Sequence, residues 1–371
     1  MKNQMGLASH SDNSFDFLRV LAAMAVLYSH SYALYGRAEP MPVAGHSFGS
    51  LAVALFFAIS GFLVCQSWVR DRSVRRFVIR RALRIFPGLL VCAAVTALVI
   101  GPAFTTLSAA EYFRSGTAWN YIWHAGLALD SPLLQGVFEH NPRSAMPNGS
   151  LWTLRYEILM YLLLAALGRV LPQARLKLAC ILCFMVFGGI WLTLMLGDLT
   201  PQKLPFLWRL GTDLYAERIA YLGAFFFSGA CMYLYFEKIR LTGFAAVLMV
   251  AVTCIADNDV LAMLLLWLVA PYAALVFAFK APAPFRKTNG FDYSYGIYIY
   301  AYPVQQALSL LGIKNGLAWS TVLMLSALVT VILAGLSWHL VEKPALSLKK
   351  ALTPVLAVRS PSAADPQSRA A

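Results

Sequence analysis

The chain has 371 residues, 60% hydrophobic and 13% charged, with a mean hydropathy of +0.65. A soluble globular chain is nearer about half apolar and a quarter charged, so the composition excludes an ordinary soluble domain and indicates a polytopic membrane protein. The formal net charge of +13 would suggest nucleic acid in a soluble protein. Here most basic residues lie in short loops between apolar runs, which points instead to membrane orientation and anionic lipid headgroups, with no nucleic-acid partner.

About 20 apolar residues cross a bilayer core. On that measure ten spans are expected, at about 15–35, 48–68, 85–104, 150–171, 176–197, 217–236, 243–256, 260–279, 292–312 and 316–340. Alternation through ten spans puts 21 Lys and Arg residues on one side and seven on the other, with Arg19 and Arg155 inside spans. The seven are Arg37, Arg114, Arg143, Lys203, Arg209, Arg218 and Lys314. A basic excess marks the cytoplasmic side, so both termini are expected to be cytoplasmic. The expected fold is an all-α polytopic transmembrane bundle. Its parts are an N-terminal segment (1–14), one transmembrane domain (15–344) and a small, polar tail (345–371) expected to be disordered. No cleavable signal peptide is expected, because the first apolar run is too long. The six cysteines all lie in apolar stretches and read as packing residues, and no metal site is expected.

The first span carries Asp16, Arg19 and His30. Ionisable groups are costly at membrane depth and mark function or pairing. Arg19 and His30 are eleven positions apart, about three turns, so one helix face presents both, roughly 16 Å apart along the axis. His30 then lies about 22 Å in from the cytoplasmic surface. The second span holds Ser60 and Gly61 within FFAISGF, suited to close helix approach or to lining a substrate path. Seven arginines follow between Arg70 and Arg84, interleaved with apolar residues as in an interfacial amphipathic helix. Arg70, Arg72, Arg75 and Arg76 read as lipid and topology anchors. Arg81 and Arg84 are three apart on one face and suit phosphate.

Residues 105–149 form the longest expected external segment, with Trp119, Tyr121 and Trp123 at the interface. In it Glu139, His140, Asn141 and Arg143 read as solvated loop first and as contacts for a polar acceptor second. The fourth span then brings Trp152 and Glu157 down from outside. Arg155 is only two positions from Glu157, so the carboxylate needs a partner on another helix. Depth alone places Glu157 level with His30, and a carboxylate can orient an imidazole for general-base work. The ninth span is rich in tyrosine, including Tyr298 and Tyr302, and ends in Gln305 and Gln306, a stripe that suits a wet cavity. His339 and Glu342 near the end of the last span read as interface anchors.

Six segments, in order, carry a resemblance. They are Arg19 and His30 in R-x10-H, FFAISGF, RALR at 81–84, SLWTLRYE ending at Glu157, SYGIYIYAYP and LVEKP at 340–344. Together they resemble the acyltransferase-3 family of bacterial integral-membrane O-acyltransferases. Ala301 stands where many members have histidine, so no role is carried to that position. The resemblance implies a stand-alone multi-pass enzyme of the bacterial inner membrane, with no bound cofactor. It implies transfer of an acyl group, acetyl foremost, from cytoplasmic acyl-CoA as co-substrate to a hydroxyl of an extracytoplasmic or lipid-linked carbohydrate. Arginines at the inner face (Arg19, Arg81, Arg84) suit the donor, and His30 with Glu157 suits catalysis. Asp16, Ser60, Trp152, Tyr298 and Tyr302 are the expected cavity lining. A transporter and a non-catalytic polysaccharide export or assembly factor are the rival classes, and the absence of an internal repeat disfavours the first.

Overall fold

The structure is a computed structural model that describes residues 14–143, 145–197, 215–286 and 291–352. The expected N-terminal segment through residue 13, Lys203, Arg209 and the tail beyond Leu352 lie outside the described residues. Among those described there is no strand, only the isolated bridges Val43–His46 and Thr105–Val137. Seven helices, five of them long, lie between Phe15 and Met195. They are α1 (Phe15–Leu34), α2 (Phe48–Arg70), α3 (Val74–Val95), the short α4 (Ala109–Arg114) and α5 (Thr117–Gly126), α6 (Trp152–Val170) and α7 (Gln173–Met195). Then come α8 (Ala216–Leu234), α9 (Gly243–Cys254), α10 (Asp259–Lys280), α11 (Ser294–Lys314), α12 (Trp319–Ser337) and α13 (Lys343–Leu352).

Every expected span falls on a helix, and six helices are long and apolar enough to cross a bilayer. These are Phe15–Leu34, Phe48–Arg70, Val74–Phe104, Gln173–Met195, Asp259–Lys280 and Trp319–Lys349. Helices α6, α8 and α11 are long enough but more polar, because they carry Glu157, Glu217 and the tyrosine–glutamine stripe. Helix α9 has 12 residues. At 1.5 Å each it reaches about 18 Å, short of a core of about 30 Å.

Two boundaries differ from expectation. The arginine-rich stretch from Val74 onward belongs to the third span's own helix, which starts well before the expected residue 85. Ser73 caps the N-terminus of α3, its side chain accepting from Arg76 N, and the helix runs on past Pro87 through a π-turn at Thr96–Ile100 to Phe104. Likewise α12 continues through a second π-turn, Trp338–Glu342, into α13, so residues 345–352 of the expected tail are helical. In the long loop, α5 packs on α3 with Tyr121 buried, while Trp119 and Trp123 are 53% and 64% exposed on its outer side.

Helix α8 packs against α2 and α7, and α11 packs against α1 and α12. The α2–α8 crossing is set by glycine. A Cβ on Gly61 would fall inside the carbonyl oxygen of Phe226, and one on Gly229 inside that of Ala58. Neither backbone can yield cheaply, so both positions require hydrogen as the side chain. Gly61→Ala and Gly229→Ala should each lower stability by about 2–3 kcal/mol. Gly189→Ala, which meets nothing within 4 Å, should not. Thermal unfolding of detergent-solubilised variants measures this; equal melting temperatures for all three would contradict the packing argument.

Candidate active site

The end of the bundle that carries the N-terminus of α1 is strongly charged. Asp292 precedes α11, and its Oδ1 accepts from the Ser294 backbone N–H at 3.3 Å, which fixes the carboxylate over the start of the helix. Its Oδ2 accepts from Arg84 Nη2 at 2.5 Å and from Arg19 Nη1 at 3.2 Å. Arg19 also lies 3.5 Å from Asp16, and Arg84 lies 3.8 Å from Glu342. Glu342 is 2% exposed and accepts from Ser337 at 2.9 Å, which the π-turn between them permits. Four helical segments therefore converge on two guanidiniums. Arg84 in addition lies over the Tyr295 ring.

Arg81 is different. Its guanidinium stands over the rings of Tyr161, at 5.7 Å, and Phe77, at 6.0 Å. Among the described residues no carboxylate comes within ion-pair distance of it, and its Nε is buried without a hydrogen-bond partner. Arg80 is held by Asp71 at 2.6 Å, as is Arg76. Arg76's hydrogen bonds, with those of Arg80 and the Ser73 backbone, hold the Asp71 carboxyl well below the usual carboxylate range despite partial burial.

Asp16, Arg19, Arg80, Arg81, Arg84 and Asp292 all line one cavity of about 630 Å³. Along α2 its lining runs from Arg70 to Val53, about 25 Å at 1.5 Å per residue. Its charged end holds Arg19, Arg70, Arg80, Arg81, Arg84 and, from α13, Lys349. Farther in, α2 and α6 face each other across Ser60, Glu157 and Tyr161. The Tyr161 hydroxyl donates to Glu157 Oε1, one turn away on its own helix. Ser60 Oγ lies 3.2 Å from that oxygen and 2.9 Å from the Tyr161 hydroxyl. Tyr298 closes the lining, its hydroxyl 2.6 Å from Thr153 Oγ1 and donating to the Ser150 carbonyl at 2.9 Å.

Of the residues singled out from sequence, the cavity brings together Asp16, Arg19, Ser60, Arg81, Arg84, Glu157 and Tyr298. His30, Trp152 and Tyr302 lie outside its lining. Trp152 packs edge-on to Tyr156 and under the Arg218 guanidinium. His30 packs edge-on to Tyr302 with ring centroids 5.1 Å apart, and its Nδ1 is buried without a hydrogen-bond partner. No hydrogen bond or ion pair among the described residues joins His30 to Glu157, so the expected pairing is not made. The partner from another helix that Glu157 was expected to need is Ser60 of α2. Tyr302 is one turn beyond Tyr298 on the same face of α11, so His30 sits roughly 6 Å past the cavity end.

Several assignments shift. Arg72 does not serve lipid alone: its Nη2 donates to the carbonyls of Gly168 and Leu171 and so closes the C-terminus of α6. Arg70 lines the cavity and Arg76 is paired with Asp71. The two glutamines do not line a wet path. Gln306 donates to the carbonyls of Arg143 and Met146 and accepts from Asn141, and Gln305 donates to the Leu27 carbonyl. Asn148 donates to the Ile299 carbonyl. Asn141 is buried by these bonds rather than free to meet an acceptor, and residues 141–143 and 146–149 are fastened to α11, whose Tyr302 packs on His30. Asp292, Tyr161 and Lys349 were not picked out from sequence, and Glu342 was read as an anchor only. The single hint for Asp292 was an acidic side chain two positions before a serine at a helix start.

The six cysteines are free, and no group of three or more potential ligands among the described residues could hold a metal. The acyltransferase domain model of the acyltransferase-3 family matches residues 12–339. The O-acetyl transferase of Shigella phage Sf6 is 32% identical over 339 residues, covering 90% of this chain and 96% of that protein. Nodulation protein 10 of Rhizobium leguminosarum bv. viciae is 28% identical over 363 residues, covering 92% and 95%. No solved structure matches. A helical membrane chain in which Arg19, Arg81, Arg84 and Glu157 share one cavity thus belongs to the acyltransferase-3 family and is an O-acyltransferase.

Proposed function

We propose that this enzyme moves an acyl group, acetyl foremost, from cytoplasmic acyl-CoA to a hydroxyl of a carbohydrate presented at the opposite membrane face. The observation that carries the reading is the cavity's polarity: guanidiniums at one end, hydroxyls and one carboxylate farther in. Guanidinium favours phosphate by charge and planar geometry, which suits the anionic part of CoA. The narrow interior along α2 suits the pantetheine arm. Glu157 and Ser60 offer hydrogen-bond acceptors for its amide N–H groups, so Glu157 acts on the reaction from the donor side. The basic excess at this end makes it the cytoplasmic one.

His30 is the proposed general base. Its Nδ1 is unpartnered, and its ring packs on Tyr302, one turn past the cavity end and away from the arginines. In direct transfer, the imidazole takes the proton of the acceptor hydroxyl as its oxygen attacks the thioester carbonyl. The C–S bond breaks, the CoA thiolate leaves, and it regains a proton. Arg143 is near enough to His30 and Tyr302 to act on both electrostatically, so it can stabilise negative charge developing on the carbonyl oxygen. No acyl-enzyme is required. The acceptor is a saccharide of the envelope or of an exported glycan, in a bacterial inner membrane.

Loss of a general base costs about 10²–10⁴-fold in rate. His30→Ala should therefore lose transfer by that factor while binding acyl-CoA normally, measured on purified protein with a glycan acceptor. Near-normal turnover would remove His30 from the chemistry. Glu157→Gln should raise KM for acyl-CoA more than it lowers kcat; the reverse split would return Glu157 to the reacting centre. Arg81→Lys and Arg84→Lys keep charge but lose the planar fork, and should weaken acyl-CoA binding about tenfold. Arg75→Lys, on an exposed side chain of the same run, should not. Equal affinities for all three would show the run to be a membrane anchor only.

A further inference from the structure

The cations of the cavity are not equivalent. Arg19 and Arg84 share Asp292 and are further neutralised by Asp16 and Glu342. Arg80 is neutralised by Asp71. Two cavity cations, Arg81 on α3 and Lys349 on α13, have no carboxylate within ion-pair distance among the described residues. Lys349 is only partly exposed, and the charges that act on it are the guanidiniums of Arg80, Arg81 and Arg84. A partly buried ammonium beside three guanidiniums is a repulsive arrangement, which an anion bound among them relieves.

Geometry explains why Lys349 is there. The π-turn Trp338–Glu342 joins α12 to α13 without a break, and α13 packs along α3. Leu346 and Lys349 are three apart, on one face of α13, and both line the cavity. One supplies an apolar wall and the other a charge. Arg81 of α3 and Lys349 of α13 so line the same charged end.

We propose that Lys349 of the C-terminal helix is a donor-binding residue, contacting the phosphates of the nucleotide part of acyl-CoA together with Arg81. The proposal rests on the donor reading given above and deepens it. It gives α13 a role in the site, where the sequence suggested only a disordered tail. Ammonium serves as a compact point charge with rotating donors, so Lys349 acts by charge and Arg81 by its fork. The reacting thioester lies far along the cavity and is untouched by it.

The test compares two donors on the full-length purified enzyme, acetyl-CoA and S-acetylpantetheine, which has the same thioester and arm but no phosphates. Lys349→Ala should raise KM for acetyl-CoA about tenfold, the effect of one charge-assisted contact, with kcat within about twofold. Lys349→Arg should recover most of that loss. With S-acetylpantetheine the KM of Lys349→Ala should match that of the parent enzyme. An unchanged KM for acetyl-CoA in Lys349→Ala would overturn the proposal. So would an equal loss on both donors, or on kcat, since either means that α13 only supports the fold. A parent enzyme that turns over S-acetylpantetheine but gains nothing from the phosphates would overturn the phosphate contact alone. A parent enzyme that uses neither donor would overturn the acyl-CoA reading itself.

Discussion

The site depends on one carboxylate. Asp292 lies between Arg19 of α1 and Arg84 of α3 at the start of α11, and Arg84 reaches on toward Glu342 at the end of α12. Side-chain exposure of the three central groups is 20% or less, so solvent screens them weakly. A buried ion pair of this kind adds little net stability against an apolar alternative. Removing one member is another matter, since an uncompensated charge in such a place costs about 3–5 kcal/mol. Asp292 therefore holds together two guanidiniums that would otherwise repel each other, and fixes their forks toward the cavity. The same arrangement leaves Arg81 and Lys349 uncompensated, which is what makes this end of the cavity receptive to an anion.

The molecule divides its polar groups by depth. At the basic end they are ionic. Farther along α2 they become a compact group of hydroxyls around Glu157, and Tyr298 ends that group. One turn on, His30 packs on Tyr302 of α11, the helix to which Gln306 and Asn148 secure the loop. Hydrogen bonds from the Gln306 side chain, and from Asn141 and Asn148 to the α11 carbonyls of Gln306 and Ile299, thus hold irregular backbone close to membrane depth. Helix α11 is the common element: Asp292 at its start, Tyr298 at the cavity end, and Tyr302 with Gln306 beside the imidazole.

Much of the fold was readable because hydropathy and length determine spans directly. Boundaries were less so, since a π-turn carries α12 into α13, past the point where its apolar run stops. In the site, Arg19, Arg81, Arg84 and Glu157 were legible as ionisable residues in or beside apolar helices. The pairing of Glu157 with His30 was not, because depth fixes only the coordinate along the axis. Lateral position depends on which helices are neighbours, and α6 meets α2 at Ser60 while His30 faces α11. Asp292 escaped notice for a related reason. Its partners are 273 and 208 positions away, and nothing local distinguishes it from a loop acid.

The central claim is directional: the donor enters at the end bearing Arg70, Arg81 and Lys349, and the hydroxyl is acylated at the end bearing the 105–149 segment. Proteoliposomes of known protein orientation test it, with membrane-impermeant acetyl-CoA supplied on one side only. Acetyl transfer and CoA release are expected when the donor is on the arginine side, with the product on the other. Consumption of donor from the side of the 105–149 segment alone would contradict it.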